Sequence, residues 1–279
     1  MTHSKIDVSA EVISVSGCIL SMQRWQAAIA TENPKLMYLL VELLKTLDLT
    51  FVMCTPEDRR SCSAKVVLTT LSEAERVGVG QSLLVDEDFD SDLLKIKILA
   101  KLNDIETPRY VFIGVDPGMM SGVALVAEGI TLYQSSYNSP RATARAVLLL
   151  HSHALITFPE CIPIARVGAG SRLYSALMLR EISGISDALK MEIVNEERTT
   201  LFGGPGSNES SAILIAGRRG RPVLEEDLSL EPKPGYIKSL KALVRRLNRS
   251  KQSISTELAR QVVVGERSLA SLLDELISP

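Results

Sequence analysis

Tyr110-Val-Phe-Ile-Gly-Val-Asp-Pro-Gly-Met-Met-Ser-Gly-Val-Ala-Leu125 is the stretch on which the fold turns. An apolar run ends in a single carboxylate, Asp116. Pro117-Gly118 follows at once, and a second apolar run starts after Ser121-Gly122. The pattern predicts a buried strand, a tight turn and a hairpin partner. A carboxylate at the end of a buried strand is costly unless it meets a metal, a phosphate-bound cation or a hydrogen-bond donor. The alternative is an Asx-type turn in which Asp116 accepts from the amides of Gly118 and Met119.

Downstream, strands are expected at Val111–Asp116, Gly122–Ala127 and Ile130–Tyr137, then a helix from Pro140 to His153. A strand near Ile162–Val167, the turn Gly168-Ala-Gly-Ser171 and a helix to Ile182 come next. Lys190–Asn195 is a strand and Asn208–Arg218 a helix. Upstream, a helix over Leu36–Leu47, strands at Leu49–Cys54, Lys65–Thr70 and Ser82–Val85, and a helix over Leu93–Leu102 alternate in the manner of parallel crossover units. The acidic run Asp86–Asp92 lacks the glycine and terminal glutamate of a calcium loop, so it is read as the entry to that helix. After Arg221 an acidic, Pro-bearing linker leads to three amphipathic helices; Ser255 is expected to cap the second and Gly265 to stop it. The expected layout is a small α/β domain (1–107), a central core (108–221) and a linker with a helical tail (222–279).

Three segments carry a family likeness. Ile113-Gly-Val-Asp-Pro-Gly-Met-Met-Ser-Gly-Val-Ala124 is similar to the strand-one motif of RuvC/YqgF-like proteins, the Holliday-junction-resolvase-like branch of the ribonuclease-H-like superfamily. Glu192-Ile-Val-Asn-Glu-Glu-Arg-Thr-Thr200 resembles their "DERLTT" segment, and Ser211-Ala-Ile-Leu-Ile-Ala216 resembles their last helix. The likeness covers about residues 110–221, and the whole chain is reminiscent of uncharacterised archaeal proteins with this core. It implies a fold class: α/β, with a ribonuclease-H-like central domain, a small N-terminal α/β domain and a helical C-terminal tail.

The resemblance also implies a chemistry. A pair of Mg²⁺ or Mn²⁺ ions held by carboxylates activates water for phosphodiester hydrolysis. Asp116 takes the place of the bridging metal ligand, with Glu197 and Glu209 as further catalytic acids. The fit is incomplete. Ile162–Gly168 brings no carboxylate, Glu160 lies just before it, and the family's last-helix aspartate position falls on Ser211. Two functions therefore stand side by side, metal-dependent hydrolysis of branched DNA or structured RNA, and a catalytically degenerate adaptor for nucleic acid or protein. An ATP-binding actin- or sugar-kinase-like protein is a third, disfavoured because about 110 residues are too few for its two-domain cleft.

Basic residues suggest where a polyanion would lie. Arg166 and Arg172 flank the Gly168–Ser171 turn at a helix start, where backbone amides attract phosphate; a plain packing turn is the alternative. Lys238, Lys241, Arg245 and Arg249 recur at three- and four-residue spacing on one helix face. An ordinary solvated face is the alternative there.

Composition removes several classes. Of 279 residues, 46% are hydrophobic and 23% charged, enough for a globular core, while the net charge of −2 gives no global pull on polyanions. Aromatics at 4% argue against a broad base-stacking surface. Cys18, Cys54, Cys62 and Cys161 form no CxxC pair and read as cytosolic thiols, with a Cys54–Cys62 disulfide as the alternative. His151 and His153 do not share a helix face, which disfavours a joint metal site. No signal peptide or membrane span is expected, the setting is cytoplasmic, and a homodimer is compatible with this reading.

Overall fold

The computed structural model describes residues 25–58, 63–78, 82–185, 188–195, 207–248 and 253–277. The chain is α/β, with two separate sheets. The elements run β1 (Ala27–Ala30), α1 (Pro34–Thr46), β2 (Phe51–Cys54), β3 (Val66–Thr69), α2 (Ala74–Val77), β4 (Ser82–Leu84), α3 (Ser91–Leu102), β5 (Tyr110–Asp116), β6 (Ser121–Ala127) and β7 (Ile130–Tyr137). Then come α4 (Pro140–Thr157), β8 (Ile162–Gly168), α5 (Arg172–Ser183), β9 (Lys190–Val194), α6 (Ser207–Gly217), β10 (Arg221–Pro222), α7 (Glu225–Leu228), α8 (Pro234–Leu247), α9 (Thr256–Val264) and α10 (Leu269–Ile277).

The first sheet is wholly parallel, in the order β2-β1-β3-β4. The carboxyl ends of β1 and β3 are pinned together by one buried carboxylate. Glu73 accepts from the Thr31 hydroxyl, the Glu32 amide and the Thr70 hydroxyl, each at 2.7 Å. Burial by itself would raise its pKa, but these donors outweigh burial and hold the group below the usual carboxylate range.

The second sheet has the order β10-β9-β8-β5-β6-β7. β5, β6 and β7 form an antiparallel meander, β8 and β9 run parallel to β5, and β10 pairs antiparallel with β9. Every residue of β6 is buried, as expected of a strand covered on both faces. On one face lies a large core with Val111, Ile113 and Val115 of β5, Val147 and Leu150 of α4, and Met178 and Ile182 of α5. On the other lies α6, held close by small residues: Ala124 of β6 against Ala212 and Ala216.

Glycine makes that close approach possible. A Cβ on Gly114 would fall 2.0 Å from the Ala212 carbonyl oxygen, and one on Gly122 would fall 2.0 Å from that of Asn208. The helix backbone occupies the space where strand side chains would stand.

Two helices are apolar on opposite sides. Leu94 and Ile98 of α3 enter the core of the first sheet, while Ile96 and Ala100 enter that of the second. Met178, Leu179 and Ile182 of α5 face the second sheet, while Leu173, Tyr174 and Leu177 pack with Leu240, Leu243 and Val262 of the C-terminal helices. The Arg180 guanidinium adds bonds to the carbonyls of Leu228, Val262 and Val263. The segment after Arg221 is thus structured, with Arg221 and Asp227 paired at 2.6 Å.

Among the described residues no helix is long and apolar enough to cross a membrane. Cys54 and Cys161 are buried; Cys18 and Cys62 lie outside the described residues. Asp90 caps α3 through the amides of Asp92 and Leu93, as its position in the acidic run suggests, and approaches buried His153 at 3.3 Å.

Candidate functional site

Asp116 ends β5 on the face that carries α6, because Gly114, two residues back, points at that helix. Strand register sets its neighbours. Asp116 pairs with Gly122, and Gly122 pairs with Ser136. These three form one row across β5, β6 and β7. Glu209, in the first turn of α6, stands over that row: its amide nitrogen is 2.9 Å from where a Gly122 Cβ would be.

The Glu209 carboxylate accepts a short hydrogen bond from the Ser136 hydroxyl. One of its oxygens is therefore held by β7, while its backbone lies over β6, the strand beside Asp116. Asp116 and Glu209 lie on the same face of the sheet. Glu209 lies over the sheet because α6 lies flat on the glycine row.

On the other side of Asp116, the described residues of β8 bring no acid to its level. The β5–β8 register carries Val115 to Val167, so β8 reaches the level of Asp116 at Gly168. Glu160 precedes the opposite end of β8, about 20 Å away at the rise of an extended strand. Among the described residues no group of three His, Cys, Asp or Glu side chains is placed to hold a metal ion. Glu197, the remaining acid expected from sequence, lies outside the described residues, as does Arg249. The described donors, one strand-end aspartate and one glutamate that already accepts from a serine, are too few for a two-ion centre.

Arg166 has a different role from phosphate contact. It lies on the α6 face of β8, paired in register with Gly114 and Glu192, and is buried. Its Nε donates to Glu192 at 2.9 Å and its Nη1 to the Ala216 carbonyl at 2.6 Å. The guanidinium covers the Phe112 ring at 3.6 Å. An arginine placed this way caps the last turn of α6 and locks helix to sheet. It has little exposed surface to offer a phosphate, which corrects the sequence expectation for Arg166.

The other basic positions are distributed differently. Arg172 is exposed at the start of α5, beside a hollow of about 140 Å³ lined by Ala169, Ser175, Ile193, Arg221 and Asp227. Hydrogen bonding to Arg221 holds Asp227 below its usual pKa. Lys238 and Arg245 are exposed on α8, while Lys241 is half-buried and donates to the Thr256 hydroxyl at 2.8 Å.

Arg246 belongs to the same basic stretch but not to its periodic face, and its role is not foreseen from the sequence. Its Nη2 donates to the Met119 carbonyl at 2.6 Å and to the Asn138 carbonyl. Met119 belongs to the turn after Asp116, and Asn138 follows β7. The C-terminal helices thus reach the lip of the Asp116 turn. Arg246 lies one residue past the periodic basic line, and local periodicity cannot reveal a bond across more than a hundred residues.

No protein-family model matches this chain, and no curated protein sequence matches it.

Proposed function

We propose that this chain binds structured nucleic acid on a ribonuclease-H-like core of the RuvC/YqgF type whose hydrolytic centre is incomplete. The fold part of this reading is supported by the strand order β7-β6-β5-β8-β9, antiparallel through the first three and parallel through the rest, with Asp116 at the carboxyl end of the middle strand. The observation that carries the loss of hydrolysis is the β8 position beside Asp116. A second metal-ligating acid would be needed there, and the chain has Gly168, with the buried Arg166, bonded to Glu192 and the Ala216 carbonyl, two residues before it.

A second reading is Mg²⁺- or Mn²⁺-dependent hydrolysis. It is favoured by Asp116 and Glu209 lying on one face of the sheet, because one or two carboxylates together with substrate phosphate suffice for a single hard cation. One experiment separates the two. Branched DNA and structured RNA are incubated with wild type and with Asp116→Asn, with and without Mg²⁺ or Mn²⁺, and both binding and cleavage are followed. The proposal expects salt-sensitive binding and no cleavage by either protein. Metal-dependent cleavage abolished by Asp116→Asn would establish the second reading, and absence of binding to every substrate would remove both.

A further inference from the structure

We propose that the first sheet carries a second site, at the carboxyl ends of its strands, that binds a small organic cation: a protonated amine on an apolar body. The site is separate from Asp116 and independent of the nucleic-acid reading.

Topology places it. The order β2-β1-β3-β4 sets β2 on one side of β1 and β3 on the other. α1, which leads from β1 to β2, packs on one face of the sheet through Leu36, Leu40 and Leu44. α2, which leads from β3 to β4, packs on the opposite face through Val77. The chain therefore leaves the neighbouring ends of β1 and β3 in opposite directions, and an open parallel sheet forms a crevice at such a switch point. Here the crevice is a hollow of about 630 Å³, a size usual for small-molecule sites. Its walls come from the start of α1, the loop after β3 and the loop after β4. The Glu73 carboxylate, bonded to Thr31, Glu32 and Thr70, ties the first two walls together before any ligand arrives.

The lining selects the ligand. Leu36 and Val85 are buried and give the hollow an apolar base. Leu71 and Leu84, from two different loops, line the same hollow while 77% and 52% exposed. An apolar ligand body would cover both. Phosphate is disfavoured. The turn after β1 is Thr31-Glu32-Asn33-Pro34, which has no glycine to let a pyrophosphate approach the backbone. The Asn33 side chain already accepts from the amides of Lys35 and Leu36, the donors a phosphate would use. Among the described residues no basic side chain lines the hollow, and Lys35 nearby is paired with Glu87 at 2.6 Å. Two carboxylates, Asp86 and Glu87, do line it. Hydrogen bonds from Asn33 and Lys35 hold Glu87 below the usual carboxylate range, so it is charged at neutral pH. Negative charge set beside uncovered leucines matches a positive head on an apolar body.

The test is a heteronuclear NMR titration of the full chain with phenethylamine, phenethyl alcohol and hydrocinnamate. These probes share a body and carry a positive, a neutral and a negative head; AMP serves as a phosphate-bearing rival. Phenethylamine should shift the amides of Leu71, Leu84 and Glu87 and bind about tenfold more tightly than the alcohol, the effect of two partly exposed charge pairs. That preference should shrink in high salt. Asp86→Asn/Glu87→Gln should bring the amine down to the affinity of the alcohol and leave the alcohol unchanged. Leu71→Ser/Leu84→Ser should weaken amine and alcohol alike. Glu225→Gln/Glu226→Gln, the same charge change on α7, should alter neither. The proposal is overturned if wild type does not bind phenethylamine, binds it no better than the alcohol, or prefers hydrocinnamate or AMP. A preference for the amine that survives Asp86→Asn/Glu87→Gln overturns it equally.

Discussion

Replacing Gly122 with alanine should lift α6 from the sheet. The added Cβ would stand 2.0 Å from the Asn208 carbonyl oxygen and 2.9 Å from the Glu209 amide nitrogen. Both are helix backbone atoms and cannot rotate aside as a side chain would. Reaching ordinary contact requires more than an ångström of separation. Gly114 holds the same helix down one turn later, against Ala212, so α6 must tilt or rise as a body. Overpacking of this kind costs typically about 1–3 kcal/mol, and a backbone-on-backbone clash belongs at the upper end. For a chain of this size that corresponds to a fall in Tm of roughly 6–12 °C. Calorimetry and urea denaturation measure it. Gly217→Ala is the control: it lies on the same helix with nothing within 4 Å of its added Cβ, and should change stability little. The double variant Gly114→Ala/Gly122→Ala should cost less than the sum of its parts, because a helix already lifted relieves the second clash. If Gly122→Ala melts with wild type, the account of how α6 and Glu209 are positioned is wrong.

Other expectations follow from single residues. Arg166→Met should destabilise by about 2–4 kcal/mol, because it leaves Glu192 and the Ala216 carbonyl without their donor; Arg166→Lys should recover only part, lacking the flat guanidinium over Phe112. Glu73→Gln should lower stability at pH 7 by on the order of 2 kcal/mol, since charged hydrogen bonds are lost. The folded-state pKa of Glu73 lies below its ordinary value, so its stabilisation is present above that ordinary value and fades as pH falls through the folded one. The gap between wild type and variant in Tm against pH should therefore close at acid pH. Glu181 behaves oppositely: burial pushes its pKa up, so its charged form weakens the fold once pH rises through that raised value. Glu181→Gln should be more stable than wild type near pH 8 and no different near pH 4, by the same measurement.

Much of the central sheet was legible because its signals are local. The meander β5–β7 follows from apolar runs broken at Pro117-Gly118 and Glu128-Gly129, and Gly129 adopts the left-handed backbone such a turn needs, with φ 82°. Ser255 caps α9 by accepting from the Leu258 amide, and Gly265 ends it at φ 92°. β1 escaped detection because Ala-Ala-Ile-Ala has neither alternation nor β-branched bulk. It is a strand because β2 and β3 flank it, a tertiary cause. The segment after Arg221 looked like a linker from its acids and prolines, yet the same acids meet arginine: Asp227 binds Arg221 with both oxygens. Arg166 misled for a related reason. Its place beside a Gly-rich turn suggests phosphate, but strand alternation puts it on the face that α6 covers, and nothing in the local sequence says where α6 lies.

These contacts together make the Asp116 region rigid. Gly114 and Gly122 bring α6 onto the sheet, Arg166 ties its last turn to β8 and β9, and Arg246 fixes the turn to α8. A side chain that only needed burial could be held by apolar packing alone. Here two arginines donate to backbone carbonyls, Arg166 to the last turn of α6 and Arg246 to the turn after Asp116 and the exit of β7, a costly way to build a core unless the spacing of the surrounding groups matters. Binding gains affinity from such preorganisation because less freedom is lost when the partner arrives. On the proposed nucleic-acid reading, a β8 strand without an acid beside Asp116 does not relax this demand. On that reading, a surface that recognises a backbone needs its groups in fixed register as much as a hydrolytic centre needs its carboxylates.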